Sequence, residues 1–335
     1  MAGQRPAPPG PSGAHFLRDR RLISRLAERS GAGPGSLVLD LGAGYGAITA
    51  ALAGTGARVI AIERDPRLAA RLRRRFAAQP DVRVAETDLR IVPWPGREFL
   101  VVANPPFAGS TALARRLLGD PGVPLAGAEL ILAWGAARWL AAGRPRDEET
   151  AWWAARYQIR LTGRVAAASF APPPATDAAH LSIRPRPLNG LPGGPRALRG
   201  LLRAAWRDRS RPVELSLPNG RGADALRGAV RAAIGARTPA TELTADQWHE
   251  VAVLLTGARS AAATSRPPAA PPRPAAAPRS GARSPASPPR PAAAPRLSAS
   301  QRWDRDPRPP PARRPPAAPR PRIAPARRAA PSNVP

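Results

Sequence analysis

Two short stretches of this sequence carry residue types that could bind a nucleoside and act on an amino group. The first is an apolar run that begins at Leu37 and ends in the acidic Asp40, followed by Gly42, Gly44 and Gly46 in the pattern Gly-x-Gly-x-Gly. Glycine accepts positive φ and lets a ligand approach the backbone, so a buried strand entering such a turn is typical of nucleoside sites. The pattern nearly matches the dinucleotide fingerprint, and Glu63 lies at a suitable distance for a ribose hydroxyl. The turn therefore predicts a nucleoside cofactor and leaves its identity open.

The second stretch, Asn104-Pro105-Pro106-Phe107, follows the apolar run 99–103. Ligands of open α/β sheets bind at the carboxyl ends of the strands, so this turn is expected at the same edge as the glycine turn. The Asn104 side-chain oxygen and the Pro105 carbonyl could accept both N–H groups of an exocyclic amine and favour a more tetrahedral nitrogen. Phe107 offers a flat face on which a base can stack. The alternative is a purely structural proline turn with a buried phenylalanine.

The second stretch resembles the Asn/Asp-x-Pro-Tyr/Phe element of amino-directed methyltransferases that use S-adenosylmethionine. Three further motifs narrow the resemblance to the Erm and KsgA group of ribosomal RNA adenine-N6 methyltransferases. These motifs are His15-Phe16-Leu17, the segment 170–177, and the stretch 243–248 that ends in Gln247-Trp248. The similarity runs from about residue 13 to residue 255.

The resemblance implies roles for individual residues. The cofactor would be S-adenosylmethionine, with Glu63 on the ribose hydroxyls and Asp88 on the adenine amine. The expected cofactor-binding residues are His15, Leu17, Gly42, Gly44, Glu63, Asp88 and Asn104. The expected catalytic residues are Asn104, Pro105, Phe107 and Phe170, the last as the second wall of the target-base pocket.

The implied fold class is α/β, a doubly wound seven-stranded class I methyltransferase (Rossmann-like) sheet. Apolar runs predict strands at 37–40, 59–63, 82–84, 99–103 and 128–134. Two more strands are expected at 165–170 and 177–183, joined by a proline loop. Helical spacing over 198–255, broken near Pro212 and Pro239, predicts a small C-terminal helical domain.

Four segments follow from this pattern. We expect a disordered N-terminus at 1–12, a methyltransferase domain at 13–187, a small helical RNA-binding domain at 188–256 and a disordered Ala/Pro/Arg-rich tail at 257–335. The tail holds 16 arginines against Asp304 and Asp306 and cannot bury a core. It is either an electrostatic tether for RNA or a low-complexity segment without a role.

The composition indicates which partners and binding sites are possible. The chain has 335 residues and a formal charge of +29, carried entirely by arginine, so nucleic acid is the first candidate partner. There is no cysteine, which excludes disulfides and thiolate metal sites, and no metal is expected. No secretory signal or membrane-spanning run is present, so we expect a cytoplasmic monomer without membrane contact.

The function implied by the resemblance is methyl transfer to N6 of an adenine in 23S ribosomal RNA, with the adenine flipped out of its loop. In the Erm family this gives resistance to macrolide, lincosamide and streptogramin B antibiotics. A KsgA-type enzyme would modify small-subunit RNA instead; Phe107, Gln247-Trp248 and the basic tail favour the Erm side.

Two other classes of protein share part of this pattern. DNA adenine and protein glutamine methyltransferases share Asn-Pro-Pro, but they are not expected to combine it with His15-Phe16-Leu17 and the Phe170 segment. A non-catalytic RNA-binding protein on the same fold would have no need of the cofactor residues Gly42, Glu63 and Asp88.

Overall fold

The structure is a computed structural model that describes residues 14–188, 194–220 and 222–264. The N-terminal segment 1–12 and residues 265–335 of the predicted tail 257–335, both expected to be disordered, lie outside the described residues. Residues 257–264, which the sequence analysis placed in that tail, are helical instead. No helix within the described ranges is long and apolar enough to cross a membrane.

The elements of the described part alternate between strands and helices. The strands are β1 (Phe16–Leu17), β2 (Leu37–Leu41), β3 (Arg58–Glu63), β4 (Val82–Glu86), β5 (Phe99–Ala103), β6 (Leu125–Ala133), β7 (Tyr157–Val165), β8 (Phe170–Ala171) and β9 (Ala178–Pro185). The helices are α1 (Arg20–Ser30), α2 (Ala47–Ala53), α3 (Pro66–Arg75), α4 (Ser110–Leu118), α5 (Trp134–Leu140), α6 (Glu148–Arg156), α7 (Gly194–Arg207), α8 (Ala223–Ile234) and α9 (Ala245–Thr264).

Seven strands form one mixed sheet in the order β4-β3-β2-β5-β6-β9-β7. The first five run parallel, and β9 lies antiparallel between β6 and β7. The predicted seven-stranded doubly wound sheet is therefore confirmed. Parallel alignment brings the carboxyl ends of β2, β3 and β5 to one edge, where the glycine turn and the Asn104 turn also lie.

Side chains of β2 alternate between two cores because successive residues of a strand point to opposite faces. Leu37, Leu39 and Leu41 pack in the cluster that contains α4, whereas Val38 packs in the cluster that contains α1 and α2. Each of these side chains is almost fully buried. Helices on both faces thus hold the central strands, and the carboxyl-end turns, in fixed positions.

The predicted strand at 165–170 is wrong. The strand is β7, which ends at Val165, and residues 167–169 form a short 3-10 turn before β8. β7 is an edge strand with exposed side chains at 160–164, so it lacks the apolar alternation by which strands are recognised. The proline loop itself, between Phe170 and β9, is where the sequence placed it.

The C-terminal helices occupy the region 198–255 that the sequence indicated and extend beyond it at both ends, since α7 begins at Gly194 and α9 ends at Thr264. Pro212 and Pro239 pair as an isolated bridge between helices, at the two predicted breaks. Thr244 and Gln247 cap α9 reciprocally: the Gln247 backbone N–H donates to the Thr244 hydroxyl at 3.2 Å, and Thr244 N–H donates to the Gln247 side chain at 2.9 Å. Trp248 of α9 is fully buried in the core cluster that contains the sheet residues Leu39 and Leu130.

Candidate active site

The glycine turn after β2 has the conformation that only glycine adopts readily. Gly42, Gly44 and Gly46 have φ values of 81°, 55° and 78°. A Cβ added at Gly44 would lie 2.9 Å from the Phe16 ring. The turn therefore depends on the missing side chain for both its backbone angles and its contact with Phe16.

Glu63 connects this turn to the next strand. One carboxylate oxygen accepts the Gly44 N–H at 2.8 Å, and the other accepts the Asp65 N–H at 2.9 Å. The side chain is largely buried at the end of β3. Each oxygen keeps a second lone pair, so the carboxylate can still accept ribose hydroxyls.

A cavity of about 520 Å³ lies at this edge of the sheet, a size usual for small-molecule sites. Its apolar walls include Ile62, Leu68 and Leu89, and Glu63 supplies an anionic group. Four further residues that the sequence analysis expects to bind the cofactor also line the cavity, namely His15, Gly42, Gly44 and Asn104. Apolar faces beside a carboxylate and an open glycine backbone are what an adenosine moiety requires.

The Asn104 amide has a defined orientation. Its Nδ2 donates to the His15 carbonyl at 2.8 Å. Its Oδ1 is buried and accepts no hydrogen bond from any described residue. A buried acceptor without a donor is costly, so this oxygen is suited to receive an N–H group from a ligand. The carbonyl oxygen of Pro105, which follows in the same turn, also accepts none from the described residues.

Aromatic rings lie beside this amide. The rings of Phe107 and Phe170 are 5.9 Å apart and nearly perpendicular, and His15 lies 5.6 Å from Phe107. Phe170 is brought here by the ribbon of β1 and β8, in which Leu17 pairs with Phe170 and Phe16 with Ala171. The structure thus brings together all four residues predicted to be catalytic.

The model of the family described as "Ribosomal RNA adenine dimethylase" matches residues 12–256. This match covers most of the chain. The chain belongs to this family.

Two relatives from different bacteria illustrate its range. The mycinamicin-resistance protein MyrB of Micromonospora griseorubida is 37% identical over 177 residues, which cover 52% of this chain and 55% of MyrB. The ribosomal RNA small subunit methyltransferase A of Azorhizobium caulinodans is 34% identical over 219 residues, covering 61% of this chain and 74% of that protein. This member of the rRNA adenine dimethylase family is therefore similar to proteins named for different roles.

The fold agrees with that of a solved structure. The crystal structure of the 23S rRNA methyltransferase ErmE superposes with a TM-score of 0.59 at 24% identity, covering 72% of this chain and 99% of ErmE. This likeness shows the fold. Two Bacillus proteins named rRNA adenine N-6-methyltransferase are matched over 61% of their own length.

Among the residues predicted to bind the cofactor in this rRNA adenine dimethylase family member, Asp88 has a carboxylate that is already paired with another side chain. Its neighbours Thr87 and Leu89 line the cavity, but its carboxylate is held by Arg90 through hydrogen bonds of 2.7–3.1 Å. The Arg90 guanidinium holds the pKa of the Asp88 carboxyl below its usual range. The expected contact of Asp88 with a cofactor amine stays a prediction.

The sequence reasoning missed three residues that shape the site. Phe16 lies in the quoted motif but was given no role, although its ring packs against Gly44 and Tyr45. Arg116 of α4 donates to backbone carbonyls of the loop after Asp88. Asp40 is fully buried under the turn and accepts the Thr49 hydroxyl at 2.6 Å. Only Asp40 had a recognisable signal, as the acidic residue before the glycines.

Proposed function

We propose that this chain transfers a methyl group from S-adenosylmethionine to N6 of an adenine in 23S ribosomal RNA and thereby confers resistance to macrolide, lincosamide and streptogramin B antibiotics. The observation that carries the proposal is the Asn104 amide. Its Nδ2 is committed to the His15 carbonyl, which leaves Oδ1 as a buried acceptor with no donor among the described residues, on a side chain that lines the cavity and begins the turn carrying Phe107.

The residues present fit S-adenosylmethionine. The glycine turn leaves the backbone open, Glu63 can accept ribose hydroxyls, and Ile62, Leu68 and Leu89 offer apolar faces to a purine. A neighbouring cavity of about 650 Å³ shares Phe16, Gly42 and Asn104 with the first and adds Leu17. When bound, S-adenosylmethionine supplies an electrophilic methyl group on a positively charged sulfur.

The residues around Asn104 would prepare the adenine amine for attack. The amine lone pair of adenine is delocalised into the ring, which makes the nitrogen a poor nucleophile. Hydrogen bonds from N6 to Asn104 Oδ1 and the Pro105 carbonyl would draw both N–H groups to one side and free the lone pair. Phe107 would stack on the base, with Phe170 meeting its edge, so that the flipped base is held in one plane.

MyrB supports the proposed resistance phenotype, since its name records resistance to mycinamicin and it has the higher identity of the two relatives above. Phe107 and the Gln247-Trp248 segment also favour a 23S target, because they resemble the Erm group rather than the KsgA group. A second candidate is a small-subunit methyltransferase. The greater coverage of the Azorhizobium caulinodans protein, 74% of its length, favours that alternative.

One experiment separates the two. Ribosomal RNA is extracted from a macrolide-sensitive host with and without the gene, and reverse transcription is run across 23S and 16S RNA. A gene-dependent stop at an adenine of 23S RNA, together with growth on a macrolide, is expected. A stop confined to 16S RNA would establish the second candidate, and the absence of any gene-dependent N6-methyladenine or N6-dimethyladenine from both RNAs, measured by mass spectrometry of nuclease digests, would overturn both. An Asn104→Ala gene serves as the catalytically impaired control.

A further inference from the structure

A groove of about 760 Å³ lies on the face of the sheet that α1 covers. Helix α1 packs on β5 and β6, and the outer strands β9 and β7 lie beside it. The groove runs between α1 and β7. Its lining includes Arg25 and Arg29 on the helix side, Thr162 and Arg164 on the strand side, and His180 on β9. These five residues define what we call the α1–β7 groove.

The floor of the groove is a buried polar network. His180 Nε2 is hydrogen-bonded to Glu129 Oε2, and the Ser182 hydroxyl donates to the other Glu129 oxygen at 2.9 Å. Burial acts to raise the pKa of the Glu129 carboxyl, but its hydrogen bond to His180 and the charges around it hold that pKa below its usual range. Glu129, a fully buried carboxylate beneath the groove, is therefore ionised and already paired.

Arg184 joins this network to α1. Its guanidinium donates to Glu129 Oε1 at 2.5 Å and also to the backbone carbonyl of Arg29 at the end of the helix. The helix is thus fixed to β9 on one side of the groove, while β7 is fixed to β9 by the sheet on the other. The width of the groove is set by the fold rather than by its surface side chains.

The walls of the groove are basic. Arg25 and Arg29 are exposed, and their guanidinium groups form no hydrogen bond or ion pair with any other described residue. Arg160 lies opposite Ser182 in the sheet, so it projects from the same face, and it too is exposed without a partner among the described residues. Arg164 pairs with Asp177 at 2.5 Å. The nearby acids are Asp19, which caps α1, and the exposed Glu28.

One end of the groove reaches the candidate active site. Ser169 lines the groove, its carbonyl accepts the Arg18 N–H at 2.8 Å, and the next residue is the pocket wall Phe170. A chain that lies in the groove would therefore arrive directly at the aromatic pocket. The groove is concave, which suits a single strand and not the plane of a membrane.

We propose that the α1–β7 groove binds the sugar-phosphate backbone of the RNA strand next to the flipped adenine. The inference rests on the proposed function, because it names the part of the protein that presents the RNA to that site. Arginine forms bidentate hydrogen bonds with phosphate oxygens and keeps its charge at every physiological pH. The unpaired Arg25 and Arg29 are the main contacts, and Arg160 contributes from the opposite wall.

The first test compares two double variants with the same loss of charge. Arg25→Gln with Arg29→Gln changes the groove, and Arg67→Gln with Arg74→Gln changes two exposed arginines of α3, which packs on β3 and β4 at the other edge of the sheet. Binding of a ribosomal RNA fragment is measured at several salt concentrations. The groove variant should lower the slope of log affinity against log salt by up to about 1.4, since each single-strand phosphate contact contributes roughly 0.7.

The groove variant should also raise KM for RNA while leaving kcat and cofactor affinity near the wild-type values. A wild-type salt slope in the groove variant, or an equal loss in the α3 variant, would overturn the proposal. Binding does not require methyl transfer, so the two proposals can fail separately. Suppose that the wild-type protein methylates no RNA, but that only the groove variant shows a smaller slope of log affinity against log salt. RNA binding by the groove would then be supported, and the proposed methyl transfer would be refuted.

The second test locates the RNA directly. The chain contains no cysteine, so Thr162→Cys introduces a single thiol on the exposed strand wall of the groove. An iron chelate attached there should cleave the RNA within a few nucleotides of the target adenine. Arg67→Cys, treated identically, should leave that region intact. Cleavage near the adenine from the α3 position alone, or from neither position in conjugates that still methylate RNA, would refute the groove.

Discussion

The guanidinium carbon of Arg116 lies 4.4 Å from the centre of the Trp94 ring. From this position the side chain donates to the carbonyl oxygens of Leu89 and Val92, the latter at 2.6 Å. Arg116 thereby links α4, which follows the Asn104 turn, to the loop that forms one wall of the cofactor cavity. Burial lowers the pKa of its guanidinium, and the nearby Asp88 carboxylate partly offsets the lowering.

Replacing Arg116 by methionine should weaken cofactor binding several-fold. The reason is that two carbonyl oxygens of the cavity loop lose their donors, which costs about 1–3 kcal/mol of stability in that region. Arg115→Met is the matched control, because Arg115 is exposed on the same helix and pairs only with Glu149 among the described residues. Calorimetric titration with S-adenosylhomocysteine measures both, and equal affinities in the two variants would contradict the link.

Asn104→Ala should reduce kcat by about 10²–10³-fold, the range seen when one preorganised hydrogen-bonding group is removed from a reacting centre. RNA affinity should stay close to wild type, because the amide is proposed to act on the reacting amine only. Single-turnover methylation and filter binding measure the two quantities. Parallel losses of rate and RNA affinity would mean that Asn104 serves the turn and not the reaction.

Gly44→Ala should impair the cofactor site by two routes. The new Cβ would meet the Phe16 ring at 2.9 Å, and an L-residue at φ 55° costs about 1–2 kcal/mol. Gly33→Ala is the control, since a Cβ at Gly33 meets nothing within 4 Å. Cofactor affinity should fall in the first variant and not in the second; unchanged affinity in Gly44→Ala would show that Phe16 can move away without consequence.

Asp40 should make stability depend on pH. Burial, helped by the charge of Glu63, raises the pKa of its carboxyl from 3.8 to about 7. Because the folded state holds the proton more tightly than the unfolded state, this stabilisation is complete below about pH 4 and is lost as pH rises through about 7. The difference corresponds to roughly 4 kcal/mol at most.

Urea unfolding of wild type and Asp40→Asn from pH 4 to 8 measures this contribution. Asparagine is neutral throughout, so the difference in stability between the two proteins should change across that range in favour of the variant at high pH. A constant difference would show that Asp40 does not titrate there.

The sequence was sufficient for the parts of the site that depend on local backbone chemistry. Glycines at 42, 44 and 46 predicted positive φ, and an apolar run before Asn104 predicted a turn at the carboxyl end of a strand. Both predictions are confirmed by the structure. Local rules work here because the strand, the turn and the next helix are contiguous in the chain.

Contacts between segments distant in the chain could not be predicted from local sequence patterns. The ribbon of β1 and β8 pairs two strands of two residues each, too short for any periodicity, and they join Leu17 to Phe170. The ion pair between Asp88 and Arg90 joins a half-buried carboxylate to an exposed guanidinium, and the sequence does not specify its geometry. β7 was misplaced because an exposed edge strand has no buried face to impose alternation.

The β1–β8 ribbon also bears on how the protein folds. Joining segments more than 150 residues apart carries a large loop-closure entropy, so the ribbon should form late, after the contiguous β-α units have assembled. A nascent chain would then possess its sheet before it possesses a complete pocket. Ligand occupancy would report that assembly is finished, and the bound cofactor would in turn protect the ribbon from local opening and proteolysis.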